Sequence, residues 1–206
     1  LWIPLTYPWN LLEANEFLLK SAKTQIAKDV ELRGDVKISG NVIIEVGSVI
    51  KHGIYIEGPC VIGKGCEIGP NCHVKSFTSI GDNCVIMNGA KIENSILFEE
   101  VRIHESCYVG DSIIGSSSVL GAGTKIANYR HDEETIKVLV KGKLLDSGRR
   151  RFGAVIGDHS KLGVNTSVAP GSVLGPFSWT EPGSYVKGEV KPHFLLRRSG
   201  DEEALE

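Results

Sequence analysis

The chain has 206 residues, enough for one large domain, with 23 lysines and arginines against 25 aspartates and glutamates. A formal net charge of −2 provides no general attraction to nucleic acid or to an acidic membrane surface, so we expect neither as a partner. We find no apolar run long enough to span a bilayer and no signal peptide pattern. The 24 glycines and the few aromatic residues favour a repetitive, tightly turning backbone.

The N-terminal segment, residues 1–25, predicts a short helix and a linker. Asn10 is a candidate helix cap. Apolar residues then recur at helical spacing, at Leu11, Leu12, Phe17, Leu18 and Leu19. Because the chain begins without a methionine, we expect it to be part of a longer protein.

From residue 26 to residue 190 a six-residue repeat dominates the sequence. An inward-facing residue, nearly always aliphatic, recurs at Ile26, Leu32, Ile38, Ile44, Ile50, Ile56, Ile62, Ile68, Val74, Ile80, Ile86 and Ile92, then at Leu97, Ile103, Val109, Ile114, Leu120 and Ile126, and finally at Ile156, Leu162, Val168, Leu174, Thr180 and Val186. Neither a helix of 3.6 residues per turn nor a simple strand alternation produces a spacing of six. Each six therefore predicts one short strand and one turn, stacked in coils.

The fourth residue after each aliphatic is small or β-branched, which indicates a second inward position. All five cysteines occupy it, at Cys60, Cys66, Cys72, Cys84 and Cys107. We therefore interpret them as buried free thiols rather than metal ligands, and expect a reducing, cytoplasmic location. The pattern resembles the left-handed parallel β-helix of hexapeptide-repeat proteins, which makes the predicted fold class all-β, and the handedness comes from that resemblance.

One insertion interrupts the repeat, in the loop 127–155. Its apolar residues alternate around Ile136, Val138 and Val140, and a turn at 141–143 predicts a protruding hairpin. A loop of this length is usually functional. Residues 191–206 predict a short apolar anchor and a solvated tail.

Three passages resemble one family. YPWNLLEAN is similar to the end of the nucleotidyltransferase domain in archaeal-type sugar-1-phosphate nucleotidylyltransferases, and YVGDSIIGSSSVLGAGTKIANYRHD and GRRRFGAVIGD are similar to their C-terminal β-helix. That β-helix resembles the acetyltransferase half of the bifunctional N-acetylglucosamine-1-phosphate uridylyltransferase. The resemblance implies a homotrimer, with acetyl-CoA as co-substrate between neighbouring β-helices. It also implies glucosamine- or galactosamine-1-phosphate as acceptor, and a nucleotidyltransferase domain outside this chain.

The resemblance also implies site residues. Tyr108, Asn128 and Tyr129 match positions around the amino-sugar site, and Lys137 matches a lysine that reaches the substrate from the loop. The arginine that holds phosphate in the family aligns with Lys75. Two other positions depart from the family: Glu93 stands where the family has a lysine, and Val119 where it has a polar residue, often Asn.

The catalytic base is the third departure, because Glu105 occupies the position of the family histidine and His104 stands one residue earlier. A displacement of one residue along an extended strand turns a side chain to the opposite face. The regular spacing of Ile103, Cys107 and Val109 argues against a bulge that would return His104 to the site. His104 and Glu105 are both kept as candidate bases.

For the cofactor, we expect acetyl-CoA to meet Ala122, Arg149, Arg150 and Asn165. An oxyanion needs N–H donors, which the corner 121–123 would offer, and the phosphates of CoA need cations. No metal site is expected, since the six histidines lack ligand spacing, which also disfavours a carbonic-anhydrase-like scaffold. The alternative to an acetyltransferase is a catalytically degraded trimerisation or regulatory domain.

Overall fold

The computed structural model describes residues 3–205, so Leu1, Trp2 and Glu206, which fall in the predicted terminal segments, lie outside it. Within this range the chain forms helix α1 (Pro8–Lys20) followed by 29 short strands. In chain order the strands are β1 (Gln25–Ile26), β2 (Glu31–Leu32), β3 (Val36–Ser39), β4 (Val42–Ile44), β5 (Val49–Ile50), β6 (Ile54–Glu57), β7 (Cys60–Ile62), β8 (Glu67–Ile68), β9 (His73–Val74), β10 (Ser79–Ile80), β11 (Val85–Ile86), β12 (Lys91–Glu93), β13 (Ile96–Leu97), β14 (Arg102–Ile103), β15 (Tyr108–Gly110), β16 (Ile113–Ile114), β17 (Val119–Leu120), β18 (Lys125–Ile126), β19 (Lys137–Val140), β20 (Lys143–Asp146), β21 (Ala154–Ile156), β22 (Lys161–Leu162), β23 (Ser167–Val168), β24 (Ser172–Leu174), β25 (Trp179–Thr180), β26 (Tyr185–Val186), β27 (Glu189–Val190), β28 (Phe194–Leu196) and β29 (Glu202–Ala204).

Apart from β19, β20 and the antiparallel β29, the strands stack into three parallel sheets that form the sides of a prism. Sheet 1 has the order β1-β4-β7-β10-β13-β16-β21-β24-β27, sheet 2 the order β2-β5-β8-β11-β14-β17-β22-β25-β28-β29, and sheet 3 the order β26-β23-β18-β15-β12-β9-β6-β3. Along each sheet, neighbouring coils pair in parallel with an offset of 16 to 18 residues, as in Val61↔Ser79 and Ser79↔Ile96, except across the insertion, where the offset is 42 residues, as in Ile113↔Val155. The predicted left-handed parallel β-helix is confirmed.

The core is made of the two predicted inward positions. From the second coil onward the inward aliphatic residues are buried, and all five cysteines are buried and free. Cys66 and Cys84 are 18 residues apart and therefore stack on neighbouring coils, whereas Cys60, Cys66 and Cys72 lie on three different sides.

Helix α1 covers the outer face of sheet 1. Pro8 occupies the first turn, and Tyr7, in extended conformation, is the N-cap. The prediction of Asn10 as the cap is wrong. Because the proline starts the helix earlier, Asn10 is its third residue, and its side chain accepts a hydrogen bond from the Tyr7 N–H at 3.0 Å.

The insertion contains the predicted hairpin, formed by β19 and β20 in antiparallel pairing. Lys141 and Gly142 both have positive φ, 51° and 74°, as a two-residue hairpin turn requires. The hairpin folds back onto sheet 1 instead of extending into solvent, because its apolar face is buried against α1. The shared cluster is Trp9, Leu12, Ile113, Ile136, Val138 and Phe152.

The C-terminal end of the β-helix carries two further strands. In the segment predicted as a tail, β28 continues sheet 2 and β29 pairs antiparallel with it.

Among the described residues, we find no helix with the length and apolarity that crossing a membrane requires.

Candidate functional site

Outside the insertion, the predicted site residues lie on sheet 3 and along its two long edges. The chain passes from sheet 2 to sheet 3 at one corner, which carries His104, Glu105, Ala122 and Asn165. It passes from sheet 3 to sheet 1 at the opposite corner, which carries Lys75, Glu93, Asp111 and Asn128. Tyr108 stands on the outer face between the corners, in register with Lys91 on one side and Lys125 on the other.

A polar cleft of about 750 Å³ opens at the corner between sheets 3 and 1. Its walls come from helix α1, from three successive coils and from the end of the insertion. They comprise Glu16, Lys75, Ser76, Phe77, Lys91, Glu93, Asn94, Tyr108, Asp111 and Arg151.

Glu93 is the centre of this cleft. Its side chain is only 12% exposed and accepts hydrogen bonds from Tyr108 Oη at 2.6 Å, from Lys75 Nζ at 2.9 Å and from Asn128 Nδ2 at 3.3 Å. Burial alone disfavours the carboxylate, but the hydrogen bonds from Tyr108 and Lys75 outweigh it and lower the pKa of Glu93 to about 2. Glu93 is therefore ionised at neutral pH and too weak a base to accept a proton efficiently.

The same interactions fix the protonation state of Tyr108. Its burial and its hydrogen bond to the Glu93 carboxylate both raise the pKa of the phenol above its ordinary value. Tyr108 therefore remains a neutral hydroxyl in the wall of the cleft.

A second set of hydrogen bonds forms the floor. Asp111, almost fully buried, accepts from Asn128 Nδ2 at 2.5 Å and from Asn94 Nδ2 at 2.7 Å. Burial raises the pKa of Asp111, and the two amides oppose that rise. Arg149 donates to Glu16 of α1 at 2.7 Å and lies 4.0 Å from Asp111, so it ties the helix to the floor.

His104 and Glu105 lie at the other edge of sheet 3. His104 Nδ1 is 3.8 Å from Glu105 Oε2, and both side chains are partly exposed. The strand register continues without a bulge, since Arg102 pairs with Val119 and the His104 N–H donates to Leu120 O. The structure therefore does not bring either residue into contact with the Glu93 group, and their catalytic role stays a prediction.

The predicted oxyanion donors need a correction. The N–H groups of Gly121 and Gly123 already donate to Leu162 O and to Glu105 O, each at 2.8 Å, as parts of the regular ladder. Within residues 121–123, only the Ala122 N–H lacks a hydrogen-bond partner among the described residues. Asn165 belongs to the next coil of the same corner, where its own N–H donates to Ala122 O.

Tyr129 belongs to a second cleft, of about 590 Å³, at the base of the insertion. Its lining combines cations and aromatic rings, namely Lys125, Ala127, Tyr129, Arg130, His131, Asp132, Ser167, Val168, Ala169, Pro170 and Tyr185. Lys137 lies on β19 and lines a shallower depression beside Asp146, apart from both clefts. Arg150 is exposed, whereas Arg149 is committed to Glu16.

Sequence reasoning missed four charged members of the first cleft, which are Glu16, Lys91, Asp111 and Arg151. It also missed the pairing of Lys75 with Glu93, although the repeat contained the signal, because residues 18 apart stack on neighbouring coils. Within the described residues, no group of three or more histidines, cysteines, aspartates and glutamates is placed to hold a metal ion.

Comparison with known sequences points to one group of proteins. Residues 56–147 match the family model described as the GMPPB C-terminal domain. The bifunctional protein GlmU of Methanocaldococcus jannaschii is 35% identical over 198 residues, covering 96% of this chain and 48% of the relative. The bifunctional sugar-1-phosphate nucleotidylyltransferase/acetyltransferase of Sulfurisphaera tokodaii is 42% identical over 116 residues, covering 56% of this chain and 29% of the relative. The chain thus spans at most about half the length of these two relatives.

Solved structures share the fold. The UDP-N-acetylglucosamine acyltransferase of Francisella novicida superposes with a TM-score of 0.64 at 17% identity, covering 86% of this chain and 68% of the other. A second UDP-N-acetylglucosamine acyltransferase gives 0.57 at 15% identity, covering 84% of this chain and 71% of the other. At this identity the likeness establishes the β-helix alone.

Proposed function

For a chain that is related, over nearly its whole length, to the C-terminal β-helix domain of bifunctional sugar-1-phosphate nucleotidylyltransferases, we propose an acetyl-CoA-dependent N-acetyltransferase activity on an amino-sugar 1-phosphate. Glucosamine-1-phosphate and galactosamine-1-phosphate are the acceptors to test. The larger protein would also carry the nucleotidyltransferase activity named for the relatives, and the active form would be a homotrimer in the cytoplasm.

The observation that carries the proposal is the hydrogen-bonded group of Lys75, Glu93, Tyr108 and Asn128 in the first cleft. A sugar ring presents several hydroxyls, and this group offers an ionised carboxylate, a neutral phenol and an amide held in fixed positions. Three of these residues are those that the resemblance places at the acceptor site.

The reaction itself sets two further requirements. The amine nitrogen attacks the thioester carbonyl, the new amide bond forms as CoA leaves as a thiol, and the amine loses a proton to a base. Since Glu93 is too acidic for that task, His104 and Glu105 remain the proposed bases. Within residues 121–123, the Ala122 N–H is the donor that we propose for the developing oxyanion.

Acetyl-CoA itself is proposed for the second cleft and the adjoining corner. Lys125 and Arg130 would supply cations for its phosphates once Arg130 leaves its ion pair with Asp132 and Lys125 its hydrogen bond to Ser106 O. The exposed rings of Tyr129 and Tyr185 would supply stacking surfaces. Asn165 and Arg150 lie outside this cleft and remain proposed contacts of acetyl-CoA, and Lys137 remains a proposed contact of the acceptor. Arg149 holds α1 instead.

The test is free-thiol release from acetyl-CoA with each amino-sugar 1-phosphate, for the wild type, His104→Ala and Glu105→Gln. Acceptor-dependent release that is reduced about a hundredfold or more in one variant identifies the base. Release that survives when His104→Ala and Glu105→Gln are combined in one protein contradicts the assignment of the base but leaves the activity in place.

One observation favours the alternative, a trimerisation or regulatory domain without catalysis. The acidic residues of the first cleft are already paired with cations, and His104 contacts only Glu105 among the charged groups of the described residues. No thiol release with either sugar from a protein that sediments as a folded trimer decides for this alternative.

A further inference from the structure

We propose that Lys91 and Arg151, rather than Lys75, bind the phosphate group of the acceptor. The inference rests on the proposed function, since it concerns the same cleft. It assigns a phosphate-monoester site to two residues that sequence reasoning did not select.

Lys75 is already hydrogen-bonded to Glu93. Its ammonium donates to Glu93 Oε2 at 2.9 Å, and that carboxylate is 12% exposed. Moving Lys75 toward a substrate phosphate would leave Glu93 with one hydrogen bond fewer in a partly desolvated position, which is costly. Lys75 therefore acts by holding Glu93, and through it Tyr108, in place.

Lys91 and Arg151 are free to bind. Each lies 3.8 Å from Glu93, one beside each carboxylate oxygen, which is too long for a hydrogen bond. Their side chains are 44% and 61% exposed, and both line the cleft. In the part of the chain that the structure describes, neither side chain donates a hydrogen bond.

Their positions are set by independent elements. Lys91 stands on β12, with its ammonium 5.7 Å from the centre of the Tyr108 ring. Arg151 closes the insertion, where its backbone pairs with Tyr129 and its guanidinium lies 5.6 Å from that ring. The two cations thus approach the cleft from sheet 3 and from the insertion, and a phosphate between them would bridge both.

The local charge matches the ligand. Among the described residues, Lys75, Lys91 and Arg151 lie within 4.0 Å of Glu93, which leaves a net charge of +2 around one carboxylate. A phosphate monoester carries a charge of about −1.5 to −2 at neutral pH. Of the other carboxylates of the cleft, Glu16 pairs with Arg149, and Asp111, which accepts from two neutral asparagines, contributes one further negative charge when it is ionised. The charged groups of the cleft then sum to +1, so the cleft stays positive.

The experiment measures acetyl transfer to glucosamine-1-phosphate and to glucosamine, which lacks the phosphate, in Lys91→Gln, Arg151→Gln and Lys75→Gln. For Lys91→Gln and Arg151→Gln we expect KM to rise about tenfold or more with the phosphorylated acceptor and to stay unchanged with glucosamine. Arg151→Lys should recover part of the loss. For Lys75→Gln we expect a lower kcat with both acceptors. Arg33→Gln, on the exposed surface of the first coil, is the control.

A phosphate-dependent rise in KM at Lys75 alone, with Lys91→Gln and Arg151→Gln unaffected, overturns the inference and leaves the acetyltransferase in place. If the wild type transfers no acetyl group to either acceptor, the proposed function fails, and calorimetry with glucose-1-phosphate decides the site separately. Glucose-1-phosphate binding that weakens about tenfold in both Lys91→Gln and Arg151→Gln supports the proposed phosphate site. Absent binding, or binding that both variants retain, overturns it.

Discussion

Glu93 determines how the cations around it are arranged in the first cleft. A carboxylate at a position where the family has a lysine looks hostile to a phosphorylated substrate. The structure shows instead that Lys75, one coil earlier, neutralises it, and that two more cations flank it. The carboxylate therefore holds three cations at the cleft, which keeps the cleft positive.

This arrangement makes stability depend on pH in a defined direction. The folded-state pKa of Glu93, about 2, is below its ordinary value of 4.5, so its contribution is complete above about pH 4.5 and is lost as the pH falls toward 2. We expect Glu93→Gln to lower the melting temperature most at pH 7, and the gap to the wild type to narrow between pH 4.5 and pH 3. A gap of constant size across that range would contradict the ionised state of Glu93.

Thr78 provides a second test at a single position. It is fully buried at a small inward position, and its hydroxyl has no hydrogen-bond partner among the described residues. An unsatisfied buried hydroxyl costs about 1–3 kcal/mol, so we expect Thr78→Val to raise the free energy of unfolding by about 1 kcal/mol.

The control for Thr78 is Thr124→Val. Thr124 is equally buried, but its hydroxyl donates to Gly121 O at 2.6 Å. We expect this substitution to lower the free energy of unfolding by about 1 kcal/mol. Equal effects of the two valines in denaturant titrations would refute the difference in hydrogen bonding.

At the scale of elements, helix α1 and the hairpin form a layer over sheet 1 that also holds the cleft together. Their shared apolar cluster fixes the hairpin, and the ion pair between Glu16 and Arg149 connects that layer with the cleft floor. Packing of the hairpin therefore determines where Arg151 stands.

Truncation inside this cluster tests that dependence. Ile136 is 1% exposed, so we expect Ile136→Ala to lower the free energy of unfolding by about 2 kcal/mol or more. Leu144, on the same hairpin, is 63% exposed, and Leu144→Ala should change it by less than about 0.5 kcal/mol. Limited proteolysis of the insertion should accelerate in the first variant only; similar rates in both would contradict a packed hairpin.

For the whole molecule, stability is shared between neighbouring coils, since each coil contacts only those next to it. The first coil has a neighbour on one side only among the described residues. As a result Ile26 and Leu32, which face inward by register, remain 39% and 46% exposed.

Hydrogen exchange should report this gradient. We expect the amides of residues 25–34 to exchange fastest within the β-helix, and those of residues 54–126 slowest, because local opening needs fewer contacts to be broken at the end. Uniform protection along the coils would argue against independent loss of the first coil.

The sequence predicts those contacts whose partners are close along the chain or follow the repeat, and it does not predict contacts that depend on docking of distant segments. The repeat predicts the inward aliphatic residues, the buried cysteines and the hairpin, because each follows from spacing within a few residues. The repeat also implies that Lys75 lies next to Glu93 on the neighbouring coil, because the two residues are 18 positions apart. The contact of Glu16 with Arg149 spans 133 residues and depends on how α1 docks, which no local pattern records. The path of the insertion, and with it the place of Arg151, depends on the same docking.

The ladder continues undisturbed across the insertion, since Ile114 pairs with Ile156 and Ile126 with Val168. The register of the coils is therefore independent of the segment between Ala127 and Gly153, which carries Arg149 and Arg151. We expect substitutions at exposed positions of this segment to change what the cleft binds while the coils on either side keep their pairing.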